Sequence, residues 1–273
     1  MRETPRRADL GVSAPAAIVI PAALCLAVLI LPLVALLTRA SWSTFWVDIT
    51  APVALNALGL SLATASVATL LCTVLGLPLA LLIVRARPRT AALLRTLVAV
   101  PLVLPPMVGG VALLYLVGRS SPFGAFLFER WHITIPFTPL AVVFAQVFVA
   151  MPFLVLAVEG ALRTSGQGFA QTAATLGAGR WRVLWRITLP LAVPGIIAGV
   201  VLCFARALGE FGATALFAGN APGVTQTMPL AIYSAFNGGV DGREPAVAMS
   251  LLLLVAAVLV LMLLRAWRPG VLR

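Results

Sequence analysis

The sequence predicts an all-α integral membrane protein with about six transmembrane helices. Of its 273 residues, 62% are apolar and only 10% carry a charge. Six charge-free runs are each long enough to cross a hydrocarbon core of ~30 Å as a helix that rises ~1.5 Å per residue. None of these runs alternates polar and apolar residues as a transmembrane β-barrel requires. Helices are therefore the expected elements throughout.

The expected spans follow one another along the whole chain. They are Leu10–Thr38, Ile49–Val84, Thr96–Gly118, Ile133–Val158, Ile187–Ala205 and Pro245–Leu264. The first run follows Arg6 and Arg7 as a signal sequence would, but it is too long and lacks a small-residue cleavage site, so we expect a retained helix. A further uncharged run, Phe211–Val240, is broken by Gly, Asn, Pro, Thr and Gln. It is interpreted as a loop, with or without a short interfacial or re-entrant helix.

Three features inside the spans bear on packing. Pro105-Pro106 interrupts the third run and predicts a broken helix, whose freed carbonyl groups need partners near a lined cavity. Gly195 and Gly199 form a GxxxG pattern in the fifth run, for which ordinary glycine enrichment is favoured over close helix approach. Glu159 borders the fourth run without an evident partner, and it is assigned no role.

The net charge of +11 is explained by topology rather than by nucleic acid. All 19 basic residues are arginine, and 14 of them lie before the first run or after the second, fourth and sixth runs. The positive-inside rule then places both termini in the cytoplasm, as an even number of spans requires. We expect a cytoplasmic tail over residues 1–15, one transmembrane domain over 16–265 in the cytoplasmic (inner) membrane, and a cytoplasmic tail over 266–273.

The residues that are absent exclude several kinds of enzyme. Without lysine there is no GxxxxGK[ST] phosphate loop, so the chain cannot hydrolyse ATP in the P-loop manner. The single histidine, His132, and three cysteines without ligand spacing make a metal site unexpected. No two acidic residues form an obvious acid–base pair. We therefore expect no catalytic residue, no metal and no cofactor in this chain, which leaves a conduit, a sensor or a scaffold.

A basic segment within residues 163–190 must avoid the hydrocarbon, because its charges are costly there. Residues 167–176 predict a short helix, after which Gly177 and Gly179 supply the freedom for a turn. A second helical stretch starts near Arg180. Its 3.6-residue period places Trp181, Leu184 and Trp185 on one face and Arg182 and Arg186 on another. The physical properties of the segment alone fit an interfacial loop, with tryptophan at the level of the lipid headgroups, equally well.

The spacing of this segment resembles the EAA loop of ABC-importer permeases, EAA-x3-G-x9-I-x-LP. The matching positions are Gly177, Ile187, Leu189 and Pro190. The triplet falls on Gln171, Thr172 and Ala173, so its acidic residue is absent. The resemblance implies the type I importer permease fold and a coupling helix over about 163–186, including Arg180 and Arg182, that sits in a cleft of a separate ATPase subunit.

Three further stretches resemble the molybdate and sulfate branch of these permeases. They are Pro101–Gly110 (PLVLPPMVGG), Gly118–Phe126 (GRSSPFGAF) and Leu208–Asn220 (LGEFGATALFAGN), and Thr225–Tyr233 (TQTMPLAIY) is closer to molybdate permeases. The family-like core then covers about 55–264. The resemblance implies a homodimeric permease in membrane lipid with an ATPase pair and an extracytoplasmic oxyanion-binding protein. The alternatives are sulfate or tungstate as cargo, or a secondary transporter or channel that needs no ATPase.

Arg206 and Glu210 are the only opposed charges bordering the fifth span. They are spaced i, i+4 and predict a pair on one helix face. One interpretation is a self-neutralising pair near the interface, and the other is that Arg206 lines the path of the anion and Glu210 holds it in place. Asn220, which closes the LGEFGA…F-x-GN motif, joins this predicted path or gate through the resemblance.

Overall fold

The computed structural model describes residues 16–164, 169, 172–173, 175–238 and 243–266. Within these residues the regular elements are helices, without a strand, and the predicted all-α membrane fold is confirmed. The chain divides into two compact units, residues 1–41 and residues 42–273.

The first unit contains a single described helix, α1 (Ala16–Thr38). It continues through Pro21 and Pro32. Its described side chains are exposed or only partly buried, and they are nearly all apolar. Such a surface suits a helix that faces lipid, and α1 lies within the first predicted span.

The second unit is a sequence of long and short helices. They are α2 (Phe45–Thr50), α3 (Pro52–Arg85), α4 (Pro88–Val103), α5 (Pro106–Val117), α6 (Pro122–Trp131), α7 (Pro139–Thr164), α8 (Arg180–Val183), α9 (Leu189–Leu208), α10 (Gly212–Phe217), α11 (Met228–Gly238) and α12 (Glu244–Ala266). Helices α3, α4, α5, α6 and α9 carry proline in their first turn. The missing N–H of proline costs nothing there, because the first amides of a helix have no intrahelical acceptor.

Five of the described helical stretches are long and apolar enough to cross a membrane: α1, α3, α7, the continuous stretch Arg180–Leu208, and α12. The third predicted span is the exception, because α4 and α5 meet at an angle of 110°. Leu104 and Pro105 are extended between them. A residue that precedes proline disfavours the helical region, and here two such residues follow one another. The double proline therefore does more than interrupt a span: it turns the chain through more than a right angle.

Helix α7 is at the centre of the second unit and packs against α3 and α9 along most of its length. The interface is built from small residues, among them Ala68 and Cys72 of α3 and Ala192 and Cys203 of α9. These allow the helix axes to approach closely where lipid offers no hydrophobic driving force.

This close approach of the helices requires glycine at several of the contacts. A Cβ on Gly76 would lie 2.8 Å from Leu154 of α7, and a Cβ on Gly199 would lie 3.2 Å from Ala157. A Cβ on Gly195 would overlap the Cβ of Ala161. Ordinary glycine enrichment is thus the wrong explanation of this pattern, because both glycines face α7, where a Cβ does not fit at Gly195 and would crowd Ala157 at Gly199.

The run Phe211–Val240 contains the two short helices α10 and α11, with a turn between them whose last residues are buried. Thr225, Gln226 and Thr227 are buried, so the polar groups of this turn need partners within the protein. The Ala221 carbonyl accepts hydrogen bonds from the backbone amides of residues 224, 225 and 226. Ser61 Oγ of α3 accepts one from the Met228 amide at 2.7 Å, which ties the start of α11 to the first third of α3.

Candidate functional site

A helix within the basic segment ends at a glycine cap. Thr172 and Ala173 are helical, and the Ala178 amide donates to the Ala173 carbonyl at 3.0 Å. Gly177 has φ +83°, in the left-handed region that side chains disfavour. This is the Schellman arrangement, in which the residue after the glycine caps a carbonyl of the last turn. Gln171, the first residue of the predicted triplet, lies outside the described residues.

Gly179, in contrast, needs no special freedom. It has φ −64° and ψ 151° and directly precedes α8. The sequence interpretation that both glycines serve the turn is therefore wrong for Gly179, because extended backbone suits any residue. The turn depends on Gly177 alone.

Helix α8 passes into α9 through one wide π-turn, Leu184–Thr188. The Leu189 amide donates to the Leu184 carbonyl, five residues back. Pro190 follows at the first turn of α9 and has no N–H to give to Arg186, which removes one ordinary helical hydrogen bond at this point. Insertions of this kind occur often at functional sites. Here the wide turn lies over Ile187 and ends just before Leu189 and Pro190 of the predicted motif.

The segment presents apolar and basic side chains to the outside of the chain. Leu176 is 84% exposed, Trp181 74% and Trp185 64%. Arg180 and Arg182 are exposed beside them, without an ion pair among the described residues. We call these five residues the loop surface. Large exposed apolar side chains rimmed by charge mark a surface that contacts another protein or the membrane interface.

The remaining residues of the motif serve the fold rather than the loop surface. Leu184, predicted to share a face with the two tryptophans, is only 6% exposed. At i+3 from Trp181, Leu184 lies at the edge of the face that the two tryptophans form, and it is buried while they are exposed. Ile187 and Leu189 are partly buried, and Pro190 is exposed at the start of α9.

Arg206 and Glu210 form an ion pair, but not along a helix face. Helix α9 ends at Leu208, so Glu210 lies beyond it, two residues before α10. Arg206 Nη1 is 2.7 Å from Glu210 Oε2, with the glutamate side chain 1% exposed and the arginine side chain 25% exposed. Glu210 Oε1 accepts a hydrogen bond from the Ala213 amide at 2.8 Å. Glu210 thus holds Arg206 with one oxygen and caps the start of α10 with the other.

The stretches Pro101–Gly110 and Leu208–Asn220 meet beside the Arg206–Glu210 pair. A Cβ on Gly212 of α10 would lie 2.9 Å from Pro106, and a Cβ on Gly110 of α5 would lie 2.7 Å from the Ala213 carbonyl oxygen. Backbone therefore packs directly against backbone between α5 and α10. The bend after α4 and the ion pair at the end of α9 are parts of one packed region.

Asn220 is held elsewhere. Its Nδ2 donates to Ser234 Oγ of α11 at 2.7 Å, and Gly219 before it has φ +75°. In the described part of the chain no contact joins Asn220 to Arg206 or Glu210. The three residues predicted for the path or gate are thus divided between the ion pair and the α10–α11 turn.

A second ion-pair cluster was not predicted. Glu159, on the last turns of α7, is 4% exposed and accepts hydrogen bonds from two arginines. Arg95 of α4 donates through Nε to Glu159 Oε2 at 3.1 Å and through Nη2 to Oε1. Arg163, one turn further along α7, donates through Nε to Oε1 at 2.7 Å. The i, i+4 spacing of Glu159 and Arg163 was a visible signal, in the favourable order with the acid first. Nothing local pointed to Arg95.

Comparison with known proteins gives one family. Residues 72–273 match the family described as the binding-protein-dependent transport system inner membrane component. The molybdenum transport system permease protein ModB of Mycobacterium tuberculosis is 49% identical over 255 residues, which cover 93% of this chain and 95% of that protein. ModB of Escherichia coli is 41% identical over 76% of this chain and 90% of its own length. The sulfate transport system permease protein CysT of E. coli is 36% identical over 76% and 75%.

Solved structures give the same fold. A bacterial ABC transporter that imports the acidic polysaccharide alginate superposes with a TM-score of 0.73 at 16% identity, over 94% of this chain and 95% of the matched chain. The MetNI methionine ABC transporter in an inward-facing conformation gives a TM-score of 0.59 at 20% identity, over 82% and 94%. At these identities the likeness concerns the fold alone.

Proposed function

The chain belongs to the family of inner membrane components of binding-protein-dependent transport systems, and on that premise we propose that it is the permease subunit of an ABC importer for molybdate. The choice of molybdate as the cargo rests on the order of sequence similarity. Permeases named for molybdenum are 38–49% identical to this chain, while a sulfate permease is 36% identical. Sulfate is the second candidate for that reason. Tungstate, a tetrahedral dianion of nearly the same size as molybdate, would use the same path.

The energy source in this proposal is a separate pair of ATPase subunits, because a chain without lysine has no phosphate loop. We propose that each ATPase contacts the loop surface, whose tryptophans, and whose arginines without an ion pair among the described residues, would otherwise be left in water. This surface also argues against a secondary transporter or channel, which would have no use for it. We expect no cofactor in the chain.

The pathway requires a second copy of the permease, since the five long spans and the bent α4–α5 pair of one chain form too thin a wall to enclose it. Closure of the ATPase pair would draw together the basic segments of the two copies, here called the coupling segments, and the spans would then rock between inward- and outward-open states. An extracytoplasmic binding protein would deliver the anion to the outward-open state. Both chain termini are cytoplasmic in this arrangement.

Arg206 is the proposed anion contact on the path. It is the partly exposed cation of a pair whose acid is fully buried, so the part of the guanidinium that does not contact Glu210 is free to meet an anion. Two buried polar atoms without a hydrogen-bond partner, Gln146 Oε1 and Thr214 Oγ1, lie on the packed helices α7 and α10. Buried polar groups without a protein partner are candidates to bind a water molecule or an ion. A compensated arginine binds a dianion weakly enough for release, as conduction requires.

Reconstitution tests the proposed function directly. We expect proteoliposomes that contain the permease, its ATPase and the binding protein to accumulate radioactive molybdate only with ATP on the ATPase side. Excess tungstate should compete with molybdate, and excess sulfate should compete less. Uptake that proceeds without ATP would instead favour the secondary transporter, and preferential competition by sulfate would change the cargo.

Topology is tested by cysteine labelling in intact cells. In a background without Cys25, Cys72 and Cys203, a cysteine at Ser120 should react with an impermeant maleimide added outside, and a cysteine at Thr175 should not. Both positions are exposed in the chain, so access rather than burial decides the result. External labelling at Thr175 would invert the arrangement and exclude the loop surface as a cytoplasmic contact.

A further inference from the structure

We infer that Glu159 is a positioning residue: its ion pairs with Arg95 and Arg163 link the end of α7 to α4 and transmit movement of the coupling segment to the α5–α10 contact. The inference rests on the proposed function, because it concerns how the ATPase-driven movement reaches the membrane path. It assigns a role to three side chains that the motif resemblance does not include.

The geometry of the cluster is that of a joint between two helices. The Arg95 guanidinium, on α4, donates to the Glu159 carboxylate through two nitrogens. Arg163, on α7 like Glu159, donates to the same carboxylate. A two-nitrogen arginine–carboxylate contact fixes relative orientation as well as distance. Glu159 is nearly inaccessible, whereas the side chains of Arg95 and Arg163 are 43% and 42% exposed. The buried Glu159 carboxylate is therefore the shared acceptor, and the two arginines reach it from the protein surface.

Helix packing alone does not require this cluster. Ala91 of α4 lies in the same buried apolar cluster as Val158 and Leu162 of α7, with Leu94 packed against it. Apolar contact thus already holds α4 on α7. A buried carboxylate with its partners is weak evidence for stability, since an apolar residue of similar volume often serves as well. What the ion pairs add is resistance to sliding of one helix along the other.

The position of the cluster connects it to both ends of the proposed mechanism. Arg163 lies in the last turn of α7, at the point where the chain leaves for the coupling segment. Helix α4 leads through extended Leu104 and Pro105 into α5. Helix α5 in turn packs backbone against backbone on α10, whose start Glu210 caps. A displacement of the end of α7 would therefore move α4, and the bend at Pro105 would convert that movement into a rotation of α5 against α10.

The test compares four single variants of the reconstituted transporter: Glu159→Gln, Arg95→Gln, Arg163→Gln and Arg89→Gln. Arg89 is the matched control, an exposed arginine on α4 without an ion pair in the described residues. Molybdate uptake and ATP hydrolysis are measured on the same proteoliposomes. We expect Glu159→Gln and Arg95→Gln to lower the ratio of molybdate taken up to ATP hydrolysed by about fivefold or more, the lower end of typical coupling effects. Arg163→Gln should lower it less, and Arg89→Gln should leave it unchanged.

Two further results decide the inference. The double variant Arg95→Gln with Glu159→Gln should be no worse than Glu159→Gln alone, because both changes break the same contact. If Arg95→Gln does not assemble because it leaves the buried Glu159 carboxylate with Arg163 alone, the double variant, which removes both charges, still gives the ratio. Uptake and hydrolysis that fall in equal proportion would show a purely structural role, and an unchanged ratio in Arg95→Gln would overturn the joint. Wild-type proteoliposomes without ATP-driven molybdate uptake would overturn the proposed function, whereas the variants decide only the joint.

Discussion

Replacing Gly177 with valine is expected to leave the protein in the membrane and to uncouple ATP hydrolysis from anion uptake. Gly177 has φ +83°, and a non-glycine residue held in a disfavoured region costs about 1–3 kcal/mol. An added Cβ meets no atom within 4 Å, so the strain arises in the backbone and not from a clash. Relief of that strain would open the cap on the Ala173 carbonyl and reorient α8. We expect uptake to fall on the order of tenfold while hydrolysis persists, within the usual range of coupling effects.

The neighbouring glycine supplies the matched control. Gly179 has φ −64° and ψ 151°, and a Cβ there also meets nothing within 4 Å. Gly179→Val introduces the same side chain two residues away without backbone strain, so uptake should remain close to that of the wild type. Gly177→Asn should be intermediate, because asparagine tolerates the left-handed region better than valine. Normal uptake by Gly177→Val would mean that the loop surface only rests at the membrane interface.

Features set by neighbouring residues were predictable from the sequence. Charge-free length predicted the spans, and the spacing from Gly177 to Pro190 predicted a helix, a glycine turn and a second helix. The π-turn before Pro190 and the burial of Leu184 were not predicted, because a 3.6-residue period places Leu184 at the edge of the face of Trp181 and Trp185 and does not decide whether an edge residue is buried. Proline at a helix start is ordinary, and nothing in the sequence distinguishes a start that follows a wide turn from one that follows a loop.

Features set by contacts between distant residues were not predictable. Arg95 and Glu159 are 64 positions apart, and only the packing of α4 on α7 brings them together. The contacts of Gly195 with Ala161 and of Gly110 with Ala213 are likewise properties of helix pairs. A single sequence shows that a glycine is present, but not which helix it faces. The double proline predicted a break, whereas the 110° angle depends on where α4 and α5 find partners.

The ion pair of Arg206 and Glu210 shows why the contacts must guide the design of variants. An exchange of the two charges would place arginine at position 210, where a side-chain acceptor is needed for the Ala213 amide. Such a variant would lose the cap of α10 whether or not Arg206 contacts the anion. Glu210→Ala loses the same cap. Arg206→Gln alone leaves a carboxylate that is 1% exposed without its cation, and breaking a buried pair in this way costs about 3–5 kcal/mol.

The double variant Arg206→Gln with Glu210→Gln is expected to assemble normally and to lose most molybdate uptake. Glutamine at 210 retains an oxygen for the Ala213 amide, and the two side-chain amides can hydrogen-bond to each other. The cap of α10 is therefore kept, and no unpaired charge is left buried. The anion loses its cationic contact, and a hydrogen bond to a charged group contributes roughly 1.5–3 kcal/mol. At about 1.4 kcal/mol for each factor of ten, uptake should fall by roughly 10- to 100-fold. The measurement is initial molybdate uptake per assembled complex, with Glu210→Gln alone as the control that keeps Arg206. Uptake by the double variant at the wild-type rate would mean that the pair only neutralises itself at the end of α9 and that the anion is bound elsewhere.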